Sequence, residues 1–572
     1  MTHEQNQKPQ TIDTITEQPA PPEPPEQPSN NESRWQRLFH WYGSHKKWAI
    51  PGTVFLILLI WAGVPWTRYQ TAGLVVKKNI TIEVLDSTSR TPVSEATVNT
   101  GSANAQTDGN GRATLHLSAG NHSILISKKY YQDQQINVLV PIFGQKSTSS
   151  FNLDATGRQV KLSVKNLINQ KALGGVEIKA ASTSAKTDQN GEAIMVLPAD
   201  AEEQKANLSL NGYNNAETII KVSGSEIAEN NFTLTPAGKV YFLRESKGKI
   251  DVVKINLDGS DAKVAVAGTG KERDYDTYLL PSPDWKYVLL MARRTSQYPN
   301  AQLHILSTED DKLLAVDNGN ADYIPIGWAG NSLIYYSMRS DLPDWRTGRD
   351  KLKSYDASTG KLTLLDQTSA AGDSSASYYE YYTFVMASAE NVYYAKNWSS
   401  NDETPSESLI ESKKNSLSVI SAAGQSHKQI ASYGANDYIQ YTRVDPTTVY
   451  IWQESGSANK FFKYSMGEAS PEEASLNEEQ FYDYGEIFYA SLSGKKSFWV
   501  KHTDGKHTVI ISDADGQNAD IIASASKYIP YGWFTDEYIL LTKDGGELYI
   551  MSAEGGDMVK ITESQLTIFE GY

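Results

Sequence analysis

The sequence predicts an all-β ectodomain, made of two β-sandwiches and a seven-bladed β-propeller, behind one N-terminal transmembrane α-helix. Three patterns predict this fold: an uncharged apolar run near the N-terminus, an internal repeat with a period of roughly 80 residues, and short strands that then recur about every 40–58 residues. The expected parts are a cytoplasmic tail over 1–33, a basic juxtamembrane segment over 34–47, a transmembrane helix over 48–67, a linker over 68–78, sandwiches over 79–157 and 158–238, and a propeller over 239–572.

Composition narrows the class of protein. The chain has 572 residues, too many for a single hydrophobic core, so several domains are expected. A formal net charge of −15 argues against a nucleic-acid partner. Cysteine is absent, whereas a eukaryotic ectodomain of this size usually carries disulfides. The sequence therefore favours a bacterial surface protein whose domains depend on full-sized cores.

The N-terminal part divides into a polar tail and an apolar run. Residues 1–33 are polar and rich in proline, so they are expected to be a disordered tail, with a polyproline ligand as the alternative. No charged residue occurs from Trp48 to Thr67, and about 20 apolar residues let a helix cross a bilayer core of roughly 30 Å. Lys46 and Lys47 before the run favour a cytoplasmic N-terminus. A cleaved signal peptide and a buried soluble helix are the alternatives.

Two copies of a small β-domain follow. Apolar and polar residues alternate in Ile80–Val84 and again in Val160–Val164, which is typical of half-buried strands. The turn sequence Thr-Asp-x-Asn-Gly occurs at 107–111 and again at 187–191. The copies close with similar segments at 151–157 and 232–238. Each copy is therefore predicted to be a sandwich of about seven short strands.

The repeated turn has two interpretations. Its Asp and Asn side chains offer hard oxygen ligands, as a calcium loop would: Asp108, Asn110, Asp188 and Asn190. A calcium site needs about six or more oxygens, and each loop supplies fewer. Asp and Asn also suit a tight hairpin turn, in which a glycine takes a positive φ. The turn is the favoured interpretation.

The repeat resembles the transthyretin-like regulatory domain found beside carboxypeptidases and in many bacterial surface proteins. The resemblance rests on the strand, the Thr-Asp-x-Asn-Gly turn and a later glycine–tyrosine pair, and it covers about 80–157 and 158–238. The first copy departs from the family where Lys129-Tyr130 replaces the usual glycine. The resemblance implies a spacer or adhesion module without catalysis.

From residue 239 onward the chain has the pattern of propeller blades. Alternating apolar strands lead into Gly-containing turns, for example at 256–260, 356–360 and 513–516. Predicted inner strands start near 277, 322, 380, 437, 485 and 528, and the first blade has three strands. The segment 566–572 is expected to complete that blade and close the ring, giving seven blades. Six blades is the alternative, because the outer strand over 470–480 is weak.

The propeller resembles the TolB-like class of WD-type propellers. The resemblance rests on the Ser-Pro-Asp-Trp-Lys turn at 282–286 and on the strands that end in Asp-Gly turns. Related propellers precede the hydrolase domain of prolyl-oligopeptidase-like peptidases. Here no hydrolase domain is found after the propeller and no G-x-S-x-G elbow occurs. A peptidase function would therefore lack its catalytic domain.

The sequence offers no catalytic, cofactor-binding or metal-binding assignment. It contains no zinc-protease, P-loop or dinucleotide fingerprint. His502 and His507 flank a predicted hairpin turn, but two imidazoles are too few for a zinc site. No cofactor is expected.

Two aromatic clusters are the candidate binding residues. They precede or begin predicted inner strands, which places them on one face of a propeller. Tyrosine combines a flat apolar ring with a polar tip, which suits a peptide or sugar surface. Packing between blades is the alternative interpretation. The candidates are Tyr378, Tyr379, Tyr381, Tyr382, Phe481, Tyr482 and Tyr484.

The function expected from the sequence is that of a single-pass, membrane-anchored binding or scaffold protein of a bacterial surface. The sandwiches would be a stalk, and the propeller would bind an envelope protein or glycan. The expected partners are the membrane, through one helix, and an envelope protein or glycan, and the net charge argues against nucleic acid. The alternatives are an extracytoplasmic propeller hydrolase or lyase, and a structural subunit of an envelope complex.

Overall fold

The structure is a computed structural model, and it describes most of the chain after the N-terminal tail. Several predicted features lie outside the described residues: the tail 1–33, the end of the apolar run at 64–67, most of the linker, Tyr484 and the closing strand 566–572. The described residues are 34–63, 69, 75–144, 148–222, 228–296, 300–317, 321–338, 350–369, 378–400, 406–482, 487–503, 506–525, 528–543 and 546–563.

Two helices open the described chain. Helix α1 spans Arg34–Ser44 and α2 spans Lys46–Gly63, with Pro51 in the first turns of α2. Pro51 is the sixth residue of α2, so it lacks the N–H that would otherwise bond the carbonyl of Lys47. Within the described ranges, no helix meets the length and hydropathy expected of a membrane span.

The first repeat contains seven strands in two facing sheets. Their bounds are β1 (Lys77–Asp86), β2 (Thr97–Asn99), β3 (Asn104–Gln106), β4 (Arg112–Ser118), β5 (Gly120–Ser127), β6 (Gln134–Val140) and β7 (Thr148–Leu153). The sheet orders are β4-β1-β7 and β3-β2-β5-β6. Both sheets contribute to one core, in which Ile82, Ile124 and Ile126 are fully buried.

The second repeat has the same topology. Its strands are β8 (Arg158–Asn166), β9 (Glu177–Ala180), β10 (Thr183–Lys186), β11 (Glu192–Leu197), β12 (Glu203–Ser209), β13 (Ala216–Lys221) and β14 (Ala228–Leu234). The orders β11-β8-β14 and β10-β9-β12-β13 are those of the first repeat with each number raised by seven. The shared alternation of the two copies also buries the same faces of their equivalent first strands, β1 and β8.

The repeated turn is a self-contained hydrogen-bonded loop. Oδ1 of Asp108 accepts from the backbone N–H groups of Asn110 and Arg112, both at 2.9 Å. Asp188 does the same in the second copy. Gly111 and Gly191 take φ values of +71° and +73°, which a residue with a Cβ rarely adopts. The Asp side chain is thus engaged in holding the turn.

The threonine that begins this turn fastens it to the sandwich. Thr187 is buried, and its hydroxyl donates to the carbonyl of Leu173 at 2.6 Å while accepting from the N–H of Val176 at 2.9 Å. Thr107 bonds Val93 and Ala96 in the same way. One hydroxyl therefore satisfies a donor and an acceptor that would otherwise be buried without partners.

Each sandwich contacts the next domain through the last residue of its first strand. Oδ1 of Asp86 accepts from Nε2 of Gln159, a β8 residue of the second sandwich, at 2.8 Å. The equivalent residue of the second copy is Asn166, whose Nδ2 donates to the hydroxyl of Tyr538 in the propeller at 2.7 Å. Oδ1 of Asn166 also accepts from the N–H of Ile168, which is buried in the propeller core.

The sandwiches also meet at a position where the first copy differs from the second. Tyr130 takes a φ of +64°, the left-handed conformation that Gly212 takes at +82° in the second copy. Its hydroxyl donates to the carbonyl of Ala181 in the second sandwich at 3.3 Å, and Nζ of Lys129 donates to the same carbonyl at 2.8 Å. The side chain that replaces glycine therefore contributes to the contact between the two sandwiches.

Seven sheets follow between Lys239 and Glu563 in the described residues, one of three strands and six of four. The first comprises β15 (Lys239–Ser246), β16 (Lys249–Asn256) and β17 (Lys263–Val266). The second comprises β18 (Tyr278–Pro281), β19 (Tyr287–Ala292), β20 (Gln302–Ser307) and β21 (Leu313–Ala315). The third comprises β22 (Asp322–Ala329), β23 (Ser332–Met338), β24 (Asp350–Asp356) and β25 (Lys361–Gln367). The fourth comprises β26 (Tyr378–Ser388), β27 (Asn391–Ser400), β28 (Asn415–Ser421) and β29 (Lys428–Tyr433).

The remaining sheets repeat this arrangement. The fifth comprises β30 (Tyr438–Asp445), β31 (Thr448–Ser455), β32 (Ala458–Ser465) and β33 (Glu472–Glu473). The sixth comprises β34 (Tyr489–Ala490), β35 (Lys496–Thr503), β36 (Lys506–Asp513) and β37 (Asp520–Ala525). The seventh comprises β38 (Tyr528–Thr535), β39 (Tyr538–Lys543), β40 (Glu547–Ser552) and β41 (Val559–Glu563). Within every sheet the strands pair in chain order. The predictions of an all-β chain and of a propeller are confirmed.

The insertion between β27 and β28 is partly helical. Helix α3 (Glu407–Ser412) forms within it. Ser406 caps it, because its side chain accepts from the backbone N–H of Leu409. A second short helix, α4 (Glu478–Tyr482), lies between the fifth and sixth sheets.

A backbone hydrogen bond recurs in six sheets and fixes which turns share an end. In sheets two to seven, a residue just after the third strand donates to a carbonyl in the turn between the first and second strands. The donor and acceptor pairs are Thr308–Lys286, Ala357–Asn331, Ala422–Glu390, Met466–Thr447, Ala514–Lys495 and Ala553–Glu537, at 2.8–3.0 Å. The segments that lead into each first strand therefore lie at the opposite end.

The first and seventh sheets pack against each other. The hydroxyl of Tyr531 donates to the carbonyl of Tyr241 at 2.5 Å, and Nε1 of Trp285 donates to the carbonyl of Trp533 at 2.7 Å. One cluster of buried residues spans sheets one, two and seven. The two ends of the series are thus held side by side by the described residues.

We expect Thr187→Val to lower the free energy of unfolding of the second sandwich by about 1–3 kcal/mol, because it strands a buried carbonyl and a buried N–H. Thr187→Ser keeps the hydroxyl and is the matched control, with a smaller loss. Urea unfolding of the whole chain, monitored domain by domain through hydrogen exchange, measures both. Equal losses in the two variants would contradict the role given to the hydroxyl.

Candidate functional site

Two faces of the propeller can be defined from the strand directions. The junction face is the end that carries the turns between first and second strands, and it meets the second sandwich. Tyr538, Asp258 and Glu554 lie there and contact Asn166, Thr235 and Lys171, with the Lys171–Glu554 pair exposed. The distal face is the opposite end, where the chain leads into β18, β22, β26, β30, β34 and β38.

The described candidate residues belong to the distal face. Tyr378–Tyr382 begins β26, and Phe481 and Tyr482 close α4, shortly before β34. Side chains alternate along a strand, so Tyr379 and Tyr381 lie on one side of β26 while Tyr378 and Tyr382 lie on the other. The candidates therefore have different surroundings, although their sequence pattern is uniform.

Tyr382 is a packing residue. Its hydroxyl donates to Oδ2 of Asp366 in the third sheet at 2.9 Å. Its ring contacts those of Tyr336 and Tyr394 at 5.9 and 6.0 Å. Burial and the carboxylate of Asp366 raise the pKa of Tyr382, and Nζ of Lys396 lies 3.0 Å from the same carboxylate. The residue joins the third and fourth sheets.

Tyr378 is held by its own sheet and by the helical insertion. Its ring meets Trp398 edge-on at 6.4 Å, and Nζ of Lys413 lies 3.6 Å from the ring centroid. The same ammonium is 3.8 Å from Glu380. A cation over an aromatic face is attracted to its quadrupole. This contact ties the end of the insertion to the start of β26.

Tyr379 and Tyr381 turn towards the fifth sheet. Their rings lie 5.6 Å apart, and both are half-buried. Burial raises the pKa of Tyr381, with smaller contributions from Tyr379 and from Tyr438 at the start of β30. Tyr438 is 55% exposed, and its hydroxyl accepts from Nε2 of Gln440 at 2.7 Å. These tyrosines form a group across sheets four and five.

Phe481 and Tyr482 differ although they are adjacent. Phe481 is 2% exposed and packs between Trp452 and Phe461, with ring separations of 5.8 and 6.1 Å. Tyr482 contacts the same Trp452 edge-on at 5.7 Å but is 57% exposed. Phe481 therefore anchors α4, whereas Tyr482 presents its ring to solvent.

Two further aromatic residues of the distal face were not among the sequence candidates. Tyr275 precedes β18 and is 75% exposed, with the guanidinium of Arg273 at 5.7 Å from its ring. Tyr438 begins β30. Each is a single tyrosine without aromatic neighbours in sequence, so the cluster criterion missed them. Their shared position immediately before or at an inner strand is the signal that identifies them.

A cleft of about 780 Å³ lies between the two sandwiches. Four lysines line it: Lys128, Lys129, Lys179 and Lys205. Two of them join the sandwiches, because Lys128 donates to the carbonyl of Ser184 and Lys129 donates to that of Ala181. Lys179 instead pairs with Glu177 on its own strand. Burial lowers the pKa of Lys128. These contacts give the cleft a structural role.

Metal chemistry finds no support in the described residues. No group of three or more His, Asp or Glu side chains in the described ranges could hold a metal ion. His502 and His507 do pair across the β35–β36 hairpin, and Nδ1 of His507 lies 2.8 Å from the carbonyl of Tyr528.

We expect Tyr382→Phe to lower the free energy of unfolding of the propeller by about 1–3 kcal/mol, because it removes a buried hydrogen bond to a carboxylate. Tyr482→Phe removes a hydroxyl from an exposed ring, so its effect should stay within about 0.5 kcal/mol. Thermal unfolding followed by calorimetry compares the two. A destabilisation of Tyr482→Phe as large as that of Tyr382→Phe would contradict the packing assignments.

Comparison with known proteins gives similarity at the level of structure alone. No family model matches the chain, and no curated protein matches it. The propeller domain of the Trilobed protease from Pyrococcus furiosus is 11% identical, with a TM-score of 0.35, over 65% of this chain and 96% of that chain. TolB from Acinetobacter baumannii is 13% identical, with a TM-score of 0.28, over 58% and 81%. An oligogalacturonate lyase in complex with manganese is 9% identical, with a TM-score of 0.31, over 59% and 88%.

Proposed function

We propose that this chain is a membrane-anchored binding protein of a bacterial surface, whose propeller uses its distal face to bind an envelope protein or glycan. Its N-terminus would be cytoplasmic and its β-domains extracytoplasmic. The two sandwiches, which resemble carboxypeptidase-regulatory-like domains, would be the stalk. No cofactor is part of the proposal.

One observation carries the proposal. Three tyrosines are exposed among the described residues of the propeller: Tyr275, Tyr438 and Tyr482, at 75%, 55% and 57%. All three lie in segments that lead into or begin an inner strand, so all belong to the distal face. Exposed tyrosine rings confined to one end of a fold favour a binding surface, because a ring gains apolar contact while its hydroxyl bonds a polar ligand.

The position of the sandwiches supports the choice of this face. They occupy the junction face through Asn166, Ile168 and Thr235. The distal face is therefore the end turned away from the stalk. A ligand fixed elsewhere in the envelope would meet that end, and tethering would raise the local concentration of a second contact.

The anchor is supported by the apolar helix. Trp48–Thr67 contains no charged residue, and Lys46 and Lys47 precede it. In α2, side chains on every side of the helix are exposed, including Phe55, Ile57, Leu58 and Leu59. A helix that is apolar all round needs an apolar environment, either a protein core or a bilayer. The large apolar mass exposed here favours the bilayer.

We also propose that the propeller is a closed ring of seven blades. The first sheet has three strands in the described residues, and it already packs against the seventh. A strand from 566–572 beside β15 would give the first sheet its fourth strand. Closure by both chain ends would protect the sheet edges.

We expect the triple variant Tyr275→Ser, Tyr438→Ser and Tyr482→Ser to lose at least about tenfold in affinity for the ligand-bearing envelope fraction, since buried aromatic contacts are the usual hot spots. Sedimentation of the purified full chain in detergent with cell-wall sacculi, and with solubilised envelope proteins captured on beads, measures it.

The matched control removes exposed aliphatic residues of outer strands instead, as Leu362→Ser, Leu364→Ser and Ile521→Ser. Binding should be unchanged in this control. Equal binding by the tyrosine variant and the parent, or equal loss in the control, would refute the distal-face proposal. Unchanged melting temperatures show that neither set acts through unfolding.

We also expect Leu56→Lys with Leu58→Lys to release the chain from membranes, because each lysine at the centre of a spanning helix costs about 3 kcal/mol. The control Leu56→Ile with Leu58→Ile should remain in the pellet after an alkaline carbonate wash. Release of the parent chain by the same wash would contradict the anchor.

A further inference from the structure

Helix α1 has an apolar stripe on one side, and most of this stripe is exposed. Trp35, Leu38, Phe39 and Tyr42 follow the spacing i, i+3, i+4 and i+7, which places them along one face of a helix. Trp35 is 70% exposed, Leu38 54% and Phe39 73%. The opposite side carries Arg37, His40 and Ser44. From the sequence alone, residues 34–47 are predicted only to be a basic juxtamembrane segment.

The charge of the same region has one sign. Residues 34–63 contain the basic residues Arg34, Arg37, Lys46 and Lys47 and no Asp or Glu. The chain as a whole has a net charge of −15. The apolar stripe of α1 is complementary to an apolar layer, and its basic residues are complementary to an anionic layer at the surface of that apolar layer. An anionic lipid headgroup layer has this chemistry.

The angle between the two helices matters for where α1 can lie. The hydroxyl of Tyr42 donates to Oγ1 of Thr53 at 2.6 Å, although the two residues are 11 positions apart. On one straight helix those positions would be separated by about 16 Å along the axis, too far for the two side chains to bridge. The chain therefore bends sharply near His45. If α2 runs along the bilayer normal, α1 is directed away from that normal.

We propose that α1 lies in the headgroup layer of an anionic bilayer leaflet, with Trp35, Leu38 and Phe39 directed into the acyl region and the arginines at the lipid phosphates. The inference rests on the membrane anchor proposed above. Tyr42, hydrogen-bonded to Thr53, fixes α1 against the beginning of α2. The anchor then has two parts, one spanning helix and one surface helix, and a cytoplasmic N-terminus puts the surface helix on the cytoplasmic leaflet.

The absence of cysteine makes a direct test feasible, because one introduced thiol is the only site of labelling. The full chain with Phe39→Cys or His40→Cys is labelled with a nitroxide and reconstituted in vesicles of phosphatidylcholine with phosphatidylglycerol. Collision with oxygen reports the apolar phase, and collision with a water-soluble nickel chelate reports the aqueous phase. We expect the Phe39→Cys label to be reached severalfold better by oxygen than by nickel, and the His40→Cys label to show the reverse.

Lipid charge and the arginines provide the second comparison. Vesicles of phosphatidylcholine alone should reduce the difference between the two labels. The substitutions Arg34→Gln and Arg37→Gln are added to the Phe39→Cys chain. They should make the accessibility of its label to oxygen and nickel independent of phosphatidylglycerol. Full dependence in this variant would overturn the assignment of the arginines to lipid phosphates.

The outcomes separate this inference from the anchor on which it rests. Equal exposure of both labels to nickel, in chains that still float with the vesicles, overturns the surface position and leaves the anchor intact. Failure of the chain to float overturns both. Spectral broadening between Phe39→Cys labels of two copies would show that a second chain covers the stripe, and would overturn lipid as its occupant.

Discussion

Both domain boundaries share one interaction, which is made by the polar residue that ends the first strand of each sandwich. Asp86 accepts from Gln159 across the first boundary, and Asn166 donates to Tyr538 across the second. The two residues are 80 positions apart and occupy equivalent places. In both loops the same side chain also accepts from backbone N–H groups just after the strand, from Ser89 in the first copy and from Ile168 in the second. A side chain held by its own loop is pre-organised, so it loses little conformational freedom when it bonds the next domain.

Because the sandwich holds the propeller by one end, strand alternation decides what the other end can do. In sheets two to seven, each turn between the first and second strands lies at the junction face, and each segment that leads into a first strand lies at the distal face. The exposed tyrosines fall in the second class of segment. A propeller closed as a ring has few exposed edges, so recognition depends on loops at its two ends. With one end occupied, the distal segments are the surface that we propose for binding.

Local sequence predicted what depends on local chemistry. The Thr-Asp-x-Asn-Gly turn needs Asp108 to accept from its own loop and glycine to take a positive φ, and both requirements can be read from five residues. The fate of Tyr382 could not be read in this way, because it depends on Asp366 in the neighbouring sheet. Alternation separates Tyr382 from Tyr381 but does not say which neighbouring sheet each side of the strand faces. Tyr275 and Tyr438 were missed because each stands apart from other aromatic residues in the sequence, whereas the candidates were chosen as clusters. The spacing of the apolar residues in α1 can be seen in the sequence. The basic charge of residues 34–47 led instead to the prediction of a basic juxtamembrane segment.

Tyr130 shows how a repeat can be modified at a boundary without changing its fold. A left-handed conformation costs a residue with a Cβ about 1–2 kcal/mol relative to glycine. The second copy avoids this cost with Gly212, which makes no comparable contact through a side chain. In the first copy the same position faces the second sandwich, and Tyr130 and Lys129 both donate to Ala181. Ala181 and Ser182 themselves have φ values of +50° and +60°, so the contacted turn is strained as well. Residues on both sides of this contact therefore have strained backbones, and the hydrogen bonds to Ala181 offset that strain. The same contact orients one sandwich on the next.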